Sequence, residues 1–332
     1  MDFKPQKILI IQLRRIGDVI FTLPVVGVLR KHFPEAKIDF LVEAPSDQFV
    51  RLNPDIHETL IYDKNSSWNW VRRIRKQKYD WVLDFLSNGR TLLLTRFSGA
   101  RLRSGFKGPF SRKLVYNHLV PVSTHQYIVD QKLDFLRSLG FKGEPWKWNL
   151  NLPQEEKNWA ETFLKKSGIQ DPFPKLIGIA PCSRRATRRW ISDRVIAVLR
   201  SLNRDGTKFI LFWGAGELEF VESLAQKVGS SALVPPQTTL LQLAALIEKC
   251  SLVFGIDNGP RNIAVALGVP TLALFGPTNP ISINPHGDPK QQYLQAEDLF
   301  CIRCGLNQCP YQHECMEKIS SNMVVEKIKS MR

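Results

Sequence analysis

The sequence predicts an α/β chain of two doubly wound, Rossmann-like domains. Apolar runs of strand length alternate with longer, 3.6-periodic amphipathic stretches, the pattern of a parallel sheet covered by helices. That alternation occurs twice along 332 residues, a length that at roughly 100–200 residues per domain accommodates two domains. With 43% hydrophobic residues the chain can fill two ordinary cores, and no repeat or low-complexity tract points to a solenoid or a disordered array.

In the first half, strands are expected at 7–13, 37–42, 57–62, 80–85 and 101–106, and helices at 18–32, 46–53, 66–77, 89–98 and 124–139. Pro24 falls inside the first helix and requires either a kink or a late start. Residues 140–175 carry Gly140, Gly143, Pro145, Pro153, Pro172 and Pro174 around one helical stretch, 155–167, which places the interdomain linker there. A second series follows, with strands at 175–180, 208–213, 231–234, 251–256 and 270–275 and helices at 192–204, 217–228, 239–248 and 260–267. Beyond Phe275 the chain reads as turn-rich until a last helix near 317–331. The expected divisions are 1–170, 171–316 with a cysteine-rich tail, and 317–332.

Lys and Arg number 46 against 31 Asp and Glu, a formal charge of +15 that favours an anionic partner. The first residues lack the apolar core of a secretory signal, so a cytoplasmic location is expected. The longest nearly apolar run, Val19 to Leu29, falls well short of the ~20 residues that span a bilayer. Cys182 and Cys250 stand alone and are expected to be reduced.

In two Rossmann-like halves, ligands bind beyond the carboxyl ends of the strands, in the cleft between the halves, so the chemistry is sought in loops that follow strands. The first such loop, Gln12-Leu13-Arg14-Arg15-Ile16-Gly17-Asp18, places Asp18 near a helix start. It is either a cap or a general base, with Arg14 and Arg15 beside it to hold an anion. The junction Asp257-Asn258-Gly259-Pro260 opens a helix whose free N–H groups form a ready anion site, or is a plain capped turn. Ser183 to Trp190 holds four arginines, among them Arg188, suited to bidentate phosphate contact or to simple solvation. Glu217, after Trp213-Gly214-Ala215-Gly216, either meets ribose hydroxyls or caps a helix.

Residues 85–129 contain no Asp or Glu but hold Arg90, Arg96, Arg101, Arg103, Lys107, Arg112 and Lys113. This reads as an electropositive face for an acidic acceptor or an anionic membrane surface. Arg101, Arg103 and Lys107 are its candidate acceptor contacts. The tail contains Cys301, Cys304, Cys309 and Cys315 with His313, a set that suits zinc, an iron–sulfur cluster, disulfides or packed thiols.

Taken together, Lys7-Ile8-Leu9-Ile10-Ile11 through Arg15-Ile16-Gly17-Asp18-Val19, Asp257-Asn258-Gly259-Pro260 through Gly268-Val269-Pro270, Ala273 to Thr278 and the tail ending Cys315-Met316 resemble glycosyltransferase family nine, the ADP-heptose:lipopolysaccharide heptosyltransferases. The resemblance implies a GT-B architecture with acceptor bound by the first domain and nucleotide-sugar by the second. It also implies an inverting transfer that needs no cofactor. Asp18 would be the base, and Arg188, Glu217, Asp257, Asn258, Gly259, Pro260 and Asn262 would line the donor. Where the family commonly has His, this chain has Asn262, a neutral amide that donates a hydrogen bond but no charge. Arg261 beside it is a candidate to supply that charge.

The partners implied are ADP-heptose or a related nucleotide-sugar, the anionic lipopolysaccharide core, and the inner membrane surface as a peripheral contact. No nucleic acid is expected, since no helix-turn-helix, zinc-finger or RNA-binding signature is present. The competing functions are a relative using another donor, a binding protein that has lost catalysis and, suggested only by the +15 charge, a nucleic-acid-binding protein.

Overall fold

Residues 8–11 place four fully buried aliphatic side chains in a row, as a parallel strand covered on both faces requires. This strand is central to the first of two six-stranded sheets in the computed structural model, which describes residues 3–141, 146–169, 175–204 and 206–331. The first sheet contains β1 (Lys7–Ile11), β2 (Lys37–Val42), β3 (Glu58–Ile61), β4 (Trp81–Asp84), β5 (Leu102–Phe106) and β6 (His118–Val120), ordered β3-β2-β1-β4-β5-β6. The second contains β7 (Leu176–Ala180), β8 (Lys208–Leu211), β9 (Ala232–Leu233), β10 (Leu252–Ile256), β11 (Thr271–Phe275) and β12 (Gln291–Gln295), ordered β12-β11-β10-β7-β8-β9. Every pairing is parallel. Both sheets therefore follow the Rossmann order 3-2-1-4-5-6, in which the chain reverses direction across the sheet between its first and fourth strands. The two Rossmann-like units expected of a GT-B chain are both present.

In a parallel sheet all strands end on the same edge, and loops at the reversal point diverge to leave a crevice. In the first unit, the loops leaving β1 and β4 flank this point. In the second, those leaving β7 and β10 do.

The chain divides into the units Met1–Asn151 and Leu152–Arg332, nineteen residues before the expected division at 170/171. The helix Gln154–Lys166 accounts for the difference. Its Lys157 and Glu161 form ion pairs with Glu248 and Lys249, at and just beyond the end of the helix Leu240–Glu248. The linker residues Gly143, Pro145, Pro172 and Pro174 lie outside the described residues.

The expected helix 18–32 is two helices, Ile16–Ile20 and Leu23–His32. Pro24 has no N–H for the preceding turn, so it sits in the first turn of the second helix. Two strands escaped the sequence reading. β6 has three residues, and β12, Gln-Gln-Tyr-Leu-Gln, is mostly polar. Both are edge strands with one neighbour each, where half-exposure tolerates polar side chains. The last helix is likewise divided, into Glu314–Glu317 and Ser321–Ser330, the second capped by Ser320. Among the described residues no helix is long and apolar enough to cross a membrane.

Candidate functional site

Asp18 lies in the first turn of the helix that follows β1. Its Oδ2 accepts the Arg15 N–H at 3.2 Å, so it does serve as a cap. The side chain is half-buried, and a carboxylate has acceptor capacity beyond one amide, so capping leaves room for a second role. Arg14 and Arg15 are exposed beside it.

Beneath this loop is a lysine that the sequence reading missed. Lys132, 2% exposed, donates to Gln12 Oε1 at 2.8 Å and Thr22 Oγ1 at 2.9 Å and sits 5.0 Å from the Phe85 ring centroid. Thr22 in turn donates to the Asp18 carbonyl at 2.7 Å. Burial draws the Lys132 ammonium down to about 8, opposed by the charges of Asp18 and Asp84. The available signal was its register. On the helix Ile128–Arg137, Lys132 occupies the apolar stripe of Val129, Leu133 and Leu136.

Asp84 ends β4 and is fully buried. It accepts the N–H groups of Leu86 and Ser87 at 3.0 and 2.9 Å and the Tyr116 hydroxyl at 2.7 Å. Burial raises its pKa while these donors lower it.

The three candidate acceptor contacts separate. Arg101 precedes β5 and so lies at the edge opposite the Asp18 loop. The Arg103 guanidinium is committed to the Val115 and Ala100 carbonyls, both at 2.7 Å. Neither joins Asp18, because sequence proximity within a strand says nothing of which end faces the crevice. Lys107, just past the carboxyl end of β5, is exposed on the Asp18 edge.

In the second unit, the loops after β7 and β10 are joined by side chains. Arg188 forms an ion pair with Asp257 at 2.8 Å. Asn258 caps the helix Gly259–Ala266 by accepting the Arg261 N–H at 3.2 Å, while its Nδ2 donates to the Ala180 and Cys182 carbonyls at 2.9 and 3.0 Å. A Cβ at Gly259 would meet nothing within 4 Å, so the helix start is open to a ligand, and Pro260 occupies its first turn. Glu217 accepts the Gly214 N–H at 2.8 Å and raises the Cys182 pKa, which burial chiefly pushes up, to about 12.

Arg261 does not supply charge to a ligand in place of the missing histidine. It is fully buried, with its guanidinium donating to the Ile283 carbonyl at 3.1 Å, to Asn284 Oδ1 and to Asn262 Oδ1 at 3.2 Å. Asn262, 8% exposed, is thus held through its oxygen.

The tail packs against these loops. Trp190 donates to the Met316 and Ile319 carbonyls, both at 3.2 Å, and Thr187 to the Leu306 carbonyl at 3.0 Å. A Cβ on Gly276 would come within 2.6 Å of Met316 Sδ. Cys301, Cys304, Cys309 and Cys315 line one small cavity with His313, and all are free thiols. Burial and the neighbouring thiols raise Cys315 to about 11. Among the described residues, no three His, Cys, Asp or Glu side chains are placed to hold a metal ion.

The family model described as glycosyltransferase family 9 (heptosyltransferase) matches residues 67–313. The lipopolysaccharide core heptosyltransferase OpsX of Haemophilus influenzae is 27% identical over 296 residues, covering 86% of this chain and 83% of that protein. Among solved structures, a family 9 glycosyl transferase from Veillonella parvula superposes with a TM-score of 0.89 at 24% identity, covering 100% of this chain and 98% of that one. The Escherichia coli ADP-heptose lipopolysaccharide heptosyltransferase II superposes at 0.79 with 19% identity, covering 98% of each chain.

Proposed function

The chain belongs to glycosyltransferase family 9, and on that premise we propose that it transfers heptose from ADP-heptose to the inner core of lipopolysaccharide with inversion. The observation that carries this reading is the placement of complementary groups. A half-buried carboxylate stands at the reversal point of the first sheet, and an arginine–aspartate pair with an open helix start stands at that of the second.

In this mechanism, Asp18 takes the proton from an acceptor hydroxyl as its oxygen bonds to the anomeric carbon. The bond from that carbon to the diphosphate oxygen breaks, and ADP leaves with the electron pair. Arg188 and the Gly259 N–H at the start of the helix Gly259–Ala266 stabilise the departing charge. Arg188 then exchanges part of its contact with Asp257 for phosphate. Asn262 contributes an amide dipole rather than a charge, and Glu217 receives a ribose hydroxyl.

Arg14, Arg15 and Lys107 meet the anionic acceptor. Because lipopolysaccharide is lipid-anchored, the enzyme works as a peripheral protein at the cytoplasmic face of the inner membrane.

The test is Asp18→Asn, assayed for transfer with ADP binding measured by calorimetry. Transfer is expected to fall by at least about 10²-fold while ADP affinity holds within about twofold. Full transfer by the variant would remove Asp18 from the chemistry. Wild-type transfer from UDP- or GDP-sugars, with none from ADP-heptose, would replace the donor.

A further inference from the structure

The connection between β5 and β6 displays apolar side chains outward although it is tied down by side-chain hydrogen bonds to the backbone. Arg112 donates to the Phe106 carbonyl at 3.0 Å, the Lys107 carbonyl at 3.3 Å and the Ser87 carbonyl at 2.9 Å. These bonds fasten the turn to the end of β5 and to the loop after β4. Gly108 permits the approach, since a Cβ there would lie 2.7 Å from Arg112 Nη1. The short helix Phe110–Lys113 that results leaves Phe110 72% and Leu114 65% exposed. Separated by four residues, they share one helical face. Val122, just beyond β6, is 55% exposed.

The same segment is cationic. No Asp or Glu occurs between residues 85 and 129. Lys107 and Lys113 are exposed on either side of Phe110, with the Lys113 ammonium 5.9 Å from its ring. Because all strands of this sheet are parallel, the segment emerges on the same edge as the Asp18 loop.

We propose that Phe110, Leu114 and Val122, flanked by Lys107 and Lys113, form a docking surface for an anionic lipid bilayer. Aromatic and aliphatic tips among lysines match the boundary between phosphate headgroups and acyl chains. Three side chains are too few for a stable interface between two copies of the chain, which buries roughly 1,200–2,000 Å². The inference deepens the reading above and rests on it for one point, that the acceptor is lipid-anchored.

The experiment is co-sedimentation of the full chain with phosphatidylcholine vesicles, with and without phosphatidylglycerol. Wild type is expected to bind the anionic vesicles, to release as salt is raised, and to bind pure phosphatidylcholine far less. Phe110→Ser/Leu114→Ser and Lys113→Glu should each weaken anionic binding, the double variant by at least about tenfold. Phe110→Ser/Leu114→Ser should keep wild-type transfer to a soluble, deacylated acceptor, which separates docking from chemistry. Wild-type failure to sediment, or equal sedimentation by all three proteins, would overturn the proposal. A concentration-dependent dimer abolished by the double variant would assign the surface to a second copy instead. If vesicles bind as expected but no heptose is transferred, docking stands and the enzymatic reading falls.

Discussion

At the scale of single residues, Lys132 has the most measurable electrostatic consequence. The unfolded chain holds its proton up to the ordinary lysine range, whereas the folded chain releases it near pH 8. Between those limits the unfolded state binds more protons, so this residue's contribution to stability rises with pH through that window and is constant below it. Relative to Lys132→Met, the wild type should gain on the order of 3 kcal/mol between about pH 7 and pH 10, read from urea unfolding at both pH values. Comparison with the variant matters because burial raises the pKa values of Tyr79 and Tyr116, which acts in the opposite direction at high pH. A parallel pH response in the two proteins would show that Lys132 is not the source. At Asp18, the capping bond to the Arg15 N–H leaves acceptor capacity for the role as base proposed above.

At the scale of elements, the start of the helix Gly259–Ala266 is held by more than its own turn. Asn258 caps it and also bridges to the carbonyls of Ala180 and Cys182 at the end of β7. Asp caps helices about as well as Asn, so a residue that only capped would tolerate Asn258→Asp. The bridge predicts otherwise, because a carboxylate facing two carbonyls replaces two hydrogen bonds with repulsion. Asn258→Asp should lose about 2 kcal/mol of stability and weaken ADP binding by about tenfold, checked by denaturant unfolding and calorimetry. An unchanged variant would reduce Asn258 to a cap. Arg261 shows the opposite arrangement. Its sequence position suggested a ligand contact, but the Ile283 carbonyl and the buried Asn284 claim its guanidinium.

At the scale of the whole molecule, the +15 formal charge acts through long-range attraction rather than through the fold. Capture of an anionic acceptor should therefore slow with ionic strength, so kcat/KM for the acceptor is expected to fall about tenfold as salt shortens the Debye length, while kcat at saturation changes little. A salt-independent kcat/KM would confine the charge to solubility. The sequence by itself determined both Rossmann-like units and the loops bearing Asp18, Arg188 and Asp257, because parallel strands buried on two faces need continuous apolar runs and their carboxyl ends need turn residues. It did not reveal β6 and β12, whose edge positions relax that need. Only the tertiary structure decided that Lys132 lies beneath Asp18, that the Arg103 guanidinium is bound by backbone carbonyls, and that Arg261 is consumed internally. Hydrogen bonds between residues distant in the chain set where a charged side chain points, and local composition carries no record of those partners.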